Sequence, residues 1–144
     1  MSNVVKVVTT AESPNRIVIT AARAPGVQQF LYQVQVFTVP GVLSTGSGSA
    51  RFYIPGPITL SNIRASVSSA PIGSDIIIDV NKNGTTVFTS QNSRPKIFVG
   101  TTTCPTATPA VTSLIAGDYL SVDIDQIGSI FAGSYLTVQI ELTP

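Results

Sequence analysis

Leu136-Thr137-Val138-Gln139-Ile140-Glu141-Leu142 is the stretch that decides the fold. Every second side chain is apolar and the residues between are polar, the pattern of a strand with one face in a core and one in water. A helix would scatter the same apolar residues around its circumference. Working back along the chain, Leu120, Val122 and Ile124 alternate with Ser121, Asp123 and Asp125. Ile76, Ile78 and Val80 alternate with Asp75 and Asp79, with Ile77 interrupting the polar side. Asn81-Lys82-Asn83-Gly84 then predicts a hairpin, because Asn and Gly both tolerate the positive φ of a tight turn. Thr85–Thr89 reads as its return strand.

Other runs repeat this grammar. Ala50, Phe52 and Ile54 alternate with Arg51 and Tyr53, and Pro55-Gly56-Pro57 closes the run. Ile58 and Leu60 share one phase; Ile63, Ala65 and Val67 resume it only after Ser61-Asn62. A bulge there would keep both halves facing the core. In Tyr32–Val36, Val34 and Val36 are expected on the buried face and the glutamines outside. Lys96–Val99 and Pro109–Leu114 read as short strands, and Gly41–Gly48 and Thr101–Pro109 as loops. About eight strands between Ala50 and Leu142 predict an all-β, antiparallel β-sandwich. An eight-stranded jelly roll fits this better than an immunoglobulin-like arrangement. The sandwich domain is assigned to residues 29–144.

Residues 1–28 differ. Val4-Val5-Lys6-Val7-Val8 and Arg16-Ile17-Val18-Ile19-Thr20 are β-prone runs around a Ser13-Pro14-Asn15 turn. An isolated hairpin is marginal, so this stretch reads as an extended arm lying on a neighbour, or equally as an edge hairpin of the same domain. Val4, Val5, Val7, Val8, Ile17, Val18 and Ile19 are its expected contact residues.

Composition narrows the chemistry. The chain has 144 residues, 8 Lys plus Arg, 7 Asp plus Glu, no His, no Trp and one Cys. Without His there is no Ser-His-Asp triad and no His-ligated zinc. One Cys makes neither an internal disulfide nor a multi-Cys metal site. A net charge of +1 argues against a nucleic-acid partner, which needs a basic face. No apolar run reaches the roughly 20 residues of a membrane helix, and no secretory signal stands at the N-terminus. Only 10% of residues are charged, which suits a surface covered by copies or partners.

The remaining candidates have bland readings. Asp79-Val80-Asn81-Lys82-Asn83-Gly84 opens like a calcium loop, but its twelfth position is Ser90 rather than a bidentate Glu. A hairpin turn accounts for it better. Asp123 and Asp125 share a strand face at roughly 7 Å, and outward, solvated positions explain them better than a glycosidase pair. Cys104 lacks a basic neighbour in sequence and reads as a small, half-buried residue. Tyr53 and Phe98 lie on the outer phase of their runs and are candidate interface anchors. No cofactor and no enzymatic activity are expected.

Residues 48–142 resemble a β-sandwich module of tailed-bacteriophage virion proteins. The resemblance rests on Ala50–Pro55 with Ile58–Leu60 and Arg64–Val67, on Pro71-Ile72-Gly73-Ser74 leading through Asp79-Val80-Asn81-Lys82-Asn83-Gly84, and on Ala116-Gly117-Asp118 followed by Val122–Gly128. It implies a virion component, and the small size with an arm is most similar to a capsid decoration, or cement, protein. The partners so implied are the major capsid protein and further copies in a homotrimer. The location implied is the capsid surface, after synthesis in the host bacterial cytoplasm. A tail-fibre or receptor/carbohydrate-binding module is the alternative.

Overall fold

A computed structural model of the chain describes Val7–Val8, Thr20–Ala21 and residues 33–144. The chain divides into two units, Met1–Leu31 and Tyr32–Pro144. In the first, β1 (Val7–Val8) pairs antiparallel with β2 (Thr20–Ala21), Val7 opposite Ala21 and Val8 opposite Thr20. Those two runs therefore meet as a ladder. Val4, Val5, Ile17, Val18 and Ile19 lie outside the described residues, as do the side chains of Val7 and Val8.

The second unit is built from two antiparallel sheets. Its strands are β3 (Gln33–Val42), β4 (Gly46–Ser47), β5 (Phe52–Tyr53), β6 (Ile58–Ser66), β7 (Ile76–Lys82), β8 (Thr85–Thr86), β9 (Lys96–Ile97), β10 (Ser113–Leu114), β11 (Tyr119–Gln126) and β12 (Ser134–Thr143). Sheet I has the order β10-β6-β12-β3. Sheet II has the order β4-β11-β7-β8, with β5 also on β11 and β9 also on β7. Several runs expected as full strands, such as Ala50–Ile54 and Thr85–Thr89, shrink to two paired residues because Pro and Ser/Thr-rich neighbours bend the chain away. Eight strands, β5 to β12, follow Ala50, and β3 and β4 precede it, so the two sheets hold four and six strands.

The inner faces follow the alternation. Leu136, Val138, Ile140 and Leu142 from β12 meet Leu120, Val122 and Ile124 from β11, with Ile76, Ile78 and Val80 from β7, in one buried cluster. Each such side chain contributes about 1.5–3 kcal/mol by leaving water. The phase change in β6 is a bulge, as expected: pairing jumps from Glu141↔Asn62 to Leu142↔Leu60, leaving Ser61 unpaired. Leu60 and Ile63 are consequently both fully buried. Asn83 (φ 52°) and Gly84 (φ 82°) form the expected tight turn between β7 and β8.

One strand faces the other way. In β3, Phe37 is buried and Val39 packs against the core, whereas Val34 and Val36 are 53% and 40% exposed. The buried-face assignment of Val34 and Val36 is therefore corrected. The larger Phe37 sets the phase, and a period-2 strand cannot bury both parities.

The Thr101–Pro109 stretch is an irregular edge cover rather than a free loop. Ala107 exchanges backbone hydrogen bonds with Ile63, and Val67 N–H donates to Thr102 O. Between them, Cys104 N–H donates to Ala65 O, and Ala65 N–H donates to the Cys104 sulfur at 3.0 Å. The thiol stands where a carbonyl would in a regular ladder. Burial pushes its pKa up, so this cysteine is a poor nucleophile. It should react with a thiol-directed reagent at least about tenfold more slowly in the native than in the urea-unfolded chain. Cys104→Ser keeps an acceptor for Ala65 and should cost less stability than Cys104→Ala, as denaturant midpoints would show.

Candidate interaction surface

The outer face of sheet II collects the polar residues singled out in the sequence. In the β7–β11 register Asp79 stands opposite Asp123, and Asn81 opposite Ser121. Two carboxylates directly across a ladder repel. Here each has its own partners, a cation for Asp79 and neutral donors for Asp123. Arg94, entering just after a single 3-10 turn at Gln91–Ser93, places one guanidinium nitrogen 2.9 Å from Asp79 and the other 2.6 Å from Asp125. The Thr86 hydroxyl donates to Asp79 at 2.6 Å. Asn81 Nδ2 and Gly48 N–H donate to Asp123 at 2.9 and 3.0 Å. Asp79 and Asn81 are buried although they lie on the outer face, because the segment carrying Thr86 and Arg94 folds over them. Burial raises the pKa of Asp79 against the lowering pull of Thr86 and Arg94.

The calcium-like run is thus dispersed. Asp79 serves Arg94, Asn81 serves Asp123, and Asn83 serves the turn. Asn83 Nδ2 donates to Asp118 at 2.7 Å and its Oδ1 accepts the Tyr119 N–H at 2.9 Å. No group of three or more metal-ligating side chains converges among the described residues. Asp123 and Asp125 share a face, as expected, but Asp125 is spent on Arg94 and Asp123 on Asn81 and Gly48.

Asp118 closes the end of the sheet. It accepts from Ile115 N–H, Lys82 and Asn83, and these partners, the backbone N–H first, hold its pKa at about 2 against an ordinary 3.8. A depressed carboxylate adds stability that is present above its unfolded pKa and is lost as pH falls through the folded one. Asp118→Asn should therefore flatten the acid-unfolding curve between about pH 4 and 2, read by circular dichroism.

Tyr53 and Phe98 are both exposed, at 59% and 46%, but the fold does not bring them together. Tyr53, on β5, sits opposite Tyr119 at the start of β11. The rings are 5.7 Å apart, and the Arg51 guanidinium lies 4.6 Å over Tyr119. Phe98 follows β9, which pairs with the opposite end and opposite edge of sheet II. It borders an open groove of about 360 Å³ lined also by Asn92, Ser93, Arg94, Lys96 and Thr106. The sequence pattern indicated both aromatics from alternation alone. Arg94 carried no comparable signal, since Asp79 and Asp125 are distant in sequence.

These features define a class: an antiparallel two-sheet β-sandwich whose outer carboxylates are engaged in internal bonds and whose exposed groups are mostly aromatic, aliphatic and uncharged polar, with Arg51 and Arg64 among them. The fold is similar to that of a chain in the solved structure of the cyanophage Pam1 capsid asymmetric unit. The TM-score is 0.53 at 15% sequence identity, covering 93% of this chain and 96% of that chain. No family model matches the sequence, and no curated protein matches it. No helix among the described residues is long and apolar enough to cross a membrane.

Proposed function

We propose that the protein is a non-enzymatic structural component of a bacteriophage virion, carried on the capsid surface as a decoration protein that binds the assembled shell. The observation that supports this most is the near end-to-end likeness to a chain of a phage capsid asymmetric unit. The sequence resemblance to virion modules points the same way. A sparsely charged exterior with exposed Val34, Val36, Ile72, Ile115 and Ile130 suits broad contact with protein neighbours. The mechanism is mass action: a protein that binds only the assembled lattice shifts the equilibrium away from disassembly. The major capsid protein is the partner, and a homotrimer is the assembly the resemblance implies.

The test is reconstitution. Purified protein is added to particles lacking it, and bound density is located by cryo-electron microscopy. The chain should saturate sites on the shell and raise the temperature at which the particles open. Deleting residues 1–28 should abolish binding and leave the sandwich folded, since the described residues between Phe37 and Leu142 build a hydrophobic cluster of their own. Full-strength binding by the truncated chain would sink the role given to the arm, and failure of the whole chain to bind any shell would sink the decoration reading.

The Phe98 groove favours a second reading, a receptor- or carbohydrate-binding module, because an exposed ring beside amide, hydroxyl and ammonium groups can stack on and bond to a sugar. A glycan screen with wild type and Phe98→Ala separates the two readings. Selective glycan binding lost in Phe98→Ala would favour the second.

A further inference from the structure

β3 is the long open edge of the second unit. It lies at the end of sheet I, and among the described residues nothing pairs with its far side. Which of its backbone groups are free follows from the neighbouring ladders. Ile63 and Ala65 spend their N–H and C=O on Ala107 and Cys104. Their opposite numbers on β12, Ile140 and Val138, therefore bond across to β3, at Gln35 and Phe37. By alternation, the N–H and C=O of Val34, Val36 and Thr38 point off the open edge. Their side chains are exposed as well.

Natural edges are blunted by charge, proline, bulges or short length. β4, β5, β8, β9 and β10 are each two residues long. β3 has ten residues and no charged side chain. It is blunted at one end, where Pro40 lacks an N–H and the pairing jumps from Val39↔Leu136 to Val42↔Ser134. Along residues 33–39 the edge is neutral, and among the described residues no strand pairs with its far side; the Val36 carbonyl accepts the Gln35 side-chain amide at 3.3 Å and keeps a second lone pair for another donor.

From this edge we infer that two copies of the chain pair through β3, antiparallel about a two-fold axis at Val36. This register uses every outward-pointing group before Pro40. Val36 exchanges an N–H···O=C pair with Val36 of the second copy, and Val34 does so with Thr38 in both directions. The outward cross-strand pairs are then all β-branched, which suits a sheet surface. The absence of charge matters most here. Any charged residue at the axis would face its own copy and repel it, so neutrality makes this edge complementary to itself. The pairing joins two copies of sheet I into one continuous sheet. It goes beyond the virion reading and does not rest on it, and it puts a two-fold pair in place of the homotrimer that the resemblance implies.

The test uses the full chain in solution. Sedimentation equilibrium over a rising concentration series should show a dimer. Val36→Lys, at an exposed position, should retain the circular dichroism spectrum and remain monomeric, whereas Val36→Thr should still dimerise. In a Cys104→Ser background, a short bis-maleimide should link Val36→Cys across the axis. Val34→Cys should not be linked, because the two copies of residue 34 stand about 14 Å apart in this register. A wild type that stays monomeric, a trimer that Val36→Lys leaves intact, or equal linking at positions 34 and 36 would overturn the proposal. None of these results bears on whether the protein binds a capsid shell.

Discussion

Arg94→Ala should lower the unfolding free energy by about 3–5 kcal/mol, the range for removing one partner of a buried ion pair. The side chains of Arg94 and Asp79 are only 15% and 7% exposed, so water cannot take the place of the lost guanidinium. The Asp79 carboxylate would keep Thr86 and face Asp123 across the ladder without its cation. Asp79→Asn added to Arg94→Ala should recover a good part of the loss, because the buried unpaired carboxylate is then gone, while Asp125, the other carboxylate Arg94 bridges, is 35% exposed and open to water. Acidity supplies an independent check. Burial already raises the pKa of Asp79, and removing Arg94 takes away one of the groups that lower it. A carboxyl whose folded pKa lies above its unfolded value makes the fold relatively more stable as pH falls through that folded pKa. The deficit of Arg94→Ala at neutral pH should therefore shrink on mild acidification. Urea midpoints at several pH values measure both effects. A deficit that is small or independent of pH would show that the cluster is not a pin.

Gly128→Ala should cost about 3 kcal/mol, through backbone overpacking that no rotamer relieves. A Cβ at Gly128 would collide with the Phe131 carbonyl oxygen and stand 2.9 Å from both the N and O of Ile72. Those atoms form the bridge that ties the 128–133 loop to Ile72: Ile72 N–H donates to Phe131 O, and Ile130 N–H donates to Ile72 O. The added methyl can be housed only by breaking that bridge. The variant should show a lowered thermal midpoint and faster hydrogen exchange at Ile72 and Ile130. An unchanged midpoint would mean that this loop is not held by its backbone contacts.

The strands richest in information were legible from alternation alone. Leu136–Leu142 and Leu120–Asp125 place their apolar residues inward as the pattern demands, and the Asn83-Gly84 turn falls where its residue types call for it. β6 was legible too, bulge included, because two apolar phases separated by two polar residues admit few other arrangements. β3 was not. Val34 and Val36 occupy one parity and Phe37 and Val39 the other, so alternation is ambiguous and only packing against sheet II chooses between them. The candidate surface was half visible. Tyr53 and Phe98 sit on outer phases, but their separation to opposite corners of sheet II depends on strand order, which local pattern does not carry.

By itself the sequence determined what is local: which runs extend, where they turn, and which catalytic chemistries a chain without His and with one Cys cannot perform. Those follow from side-chain period and residue type, both read over a few neighbouring positions. The tertiary structure decided everything that joins distant residues. It set the pairing of Arg94 with Asp79 and Asp125, the sulfur of Cys104 closing the edge at Ala65, and the exposure of the β3 edge at Val34, Val36 and Thr38. Each of these depends on which strands become neighbours. Strand order is set by how the whole core closes, and no short stretch of the chain encodes it.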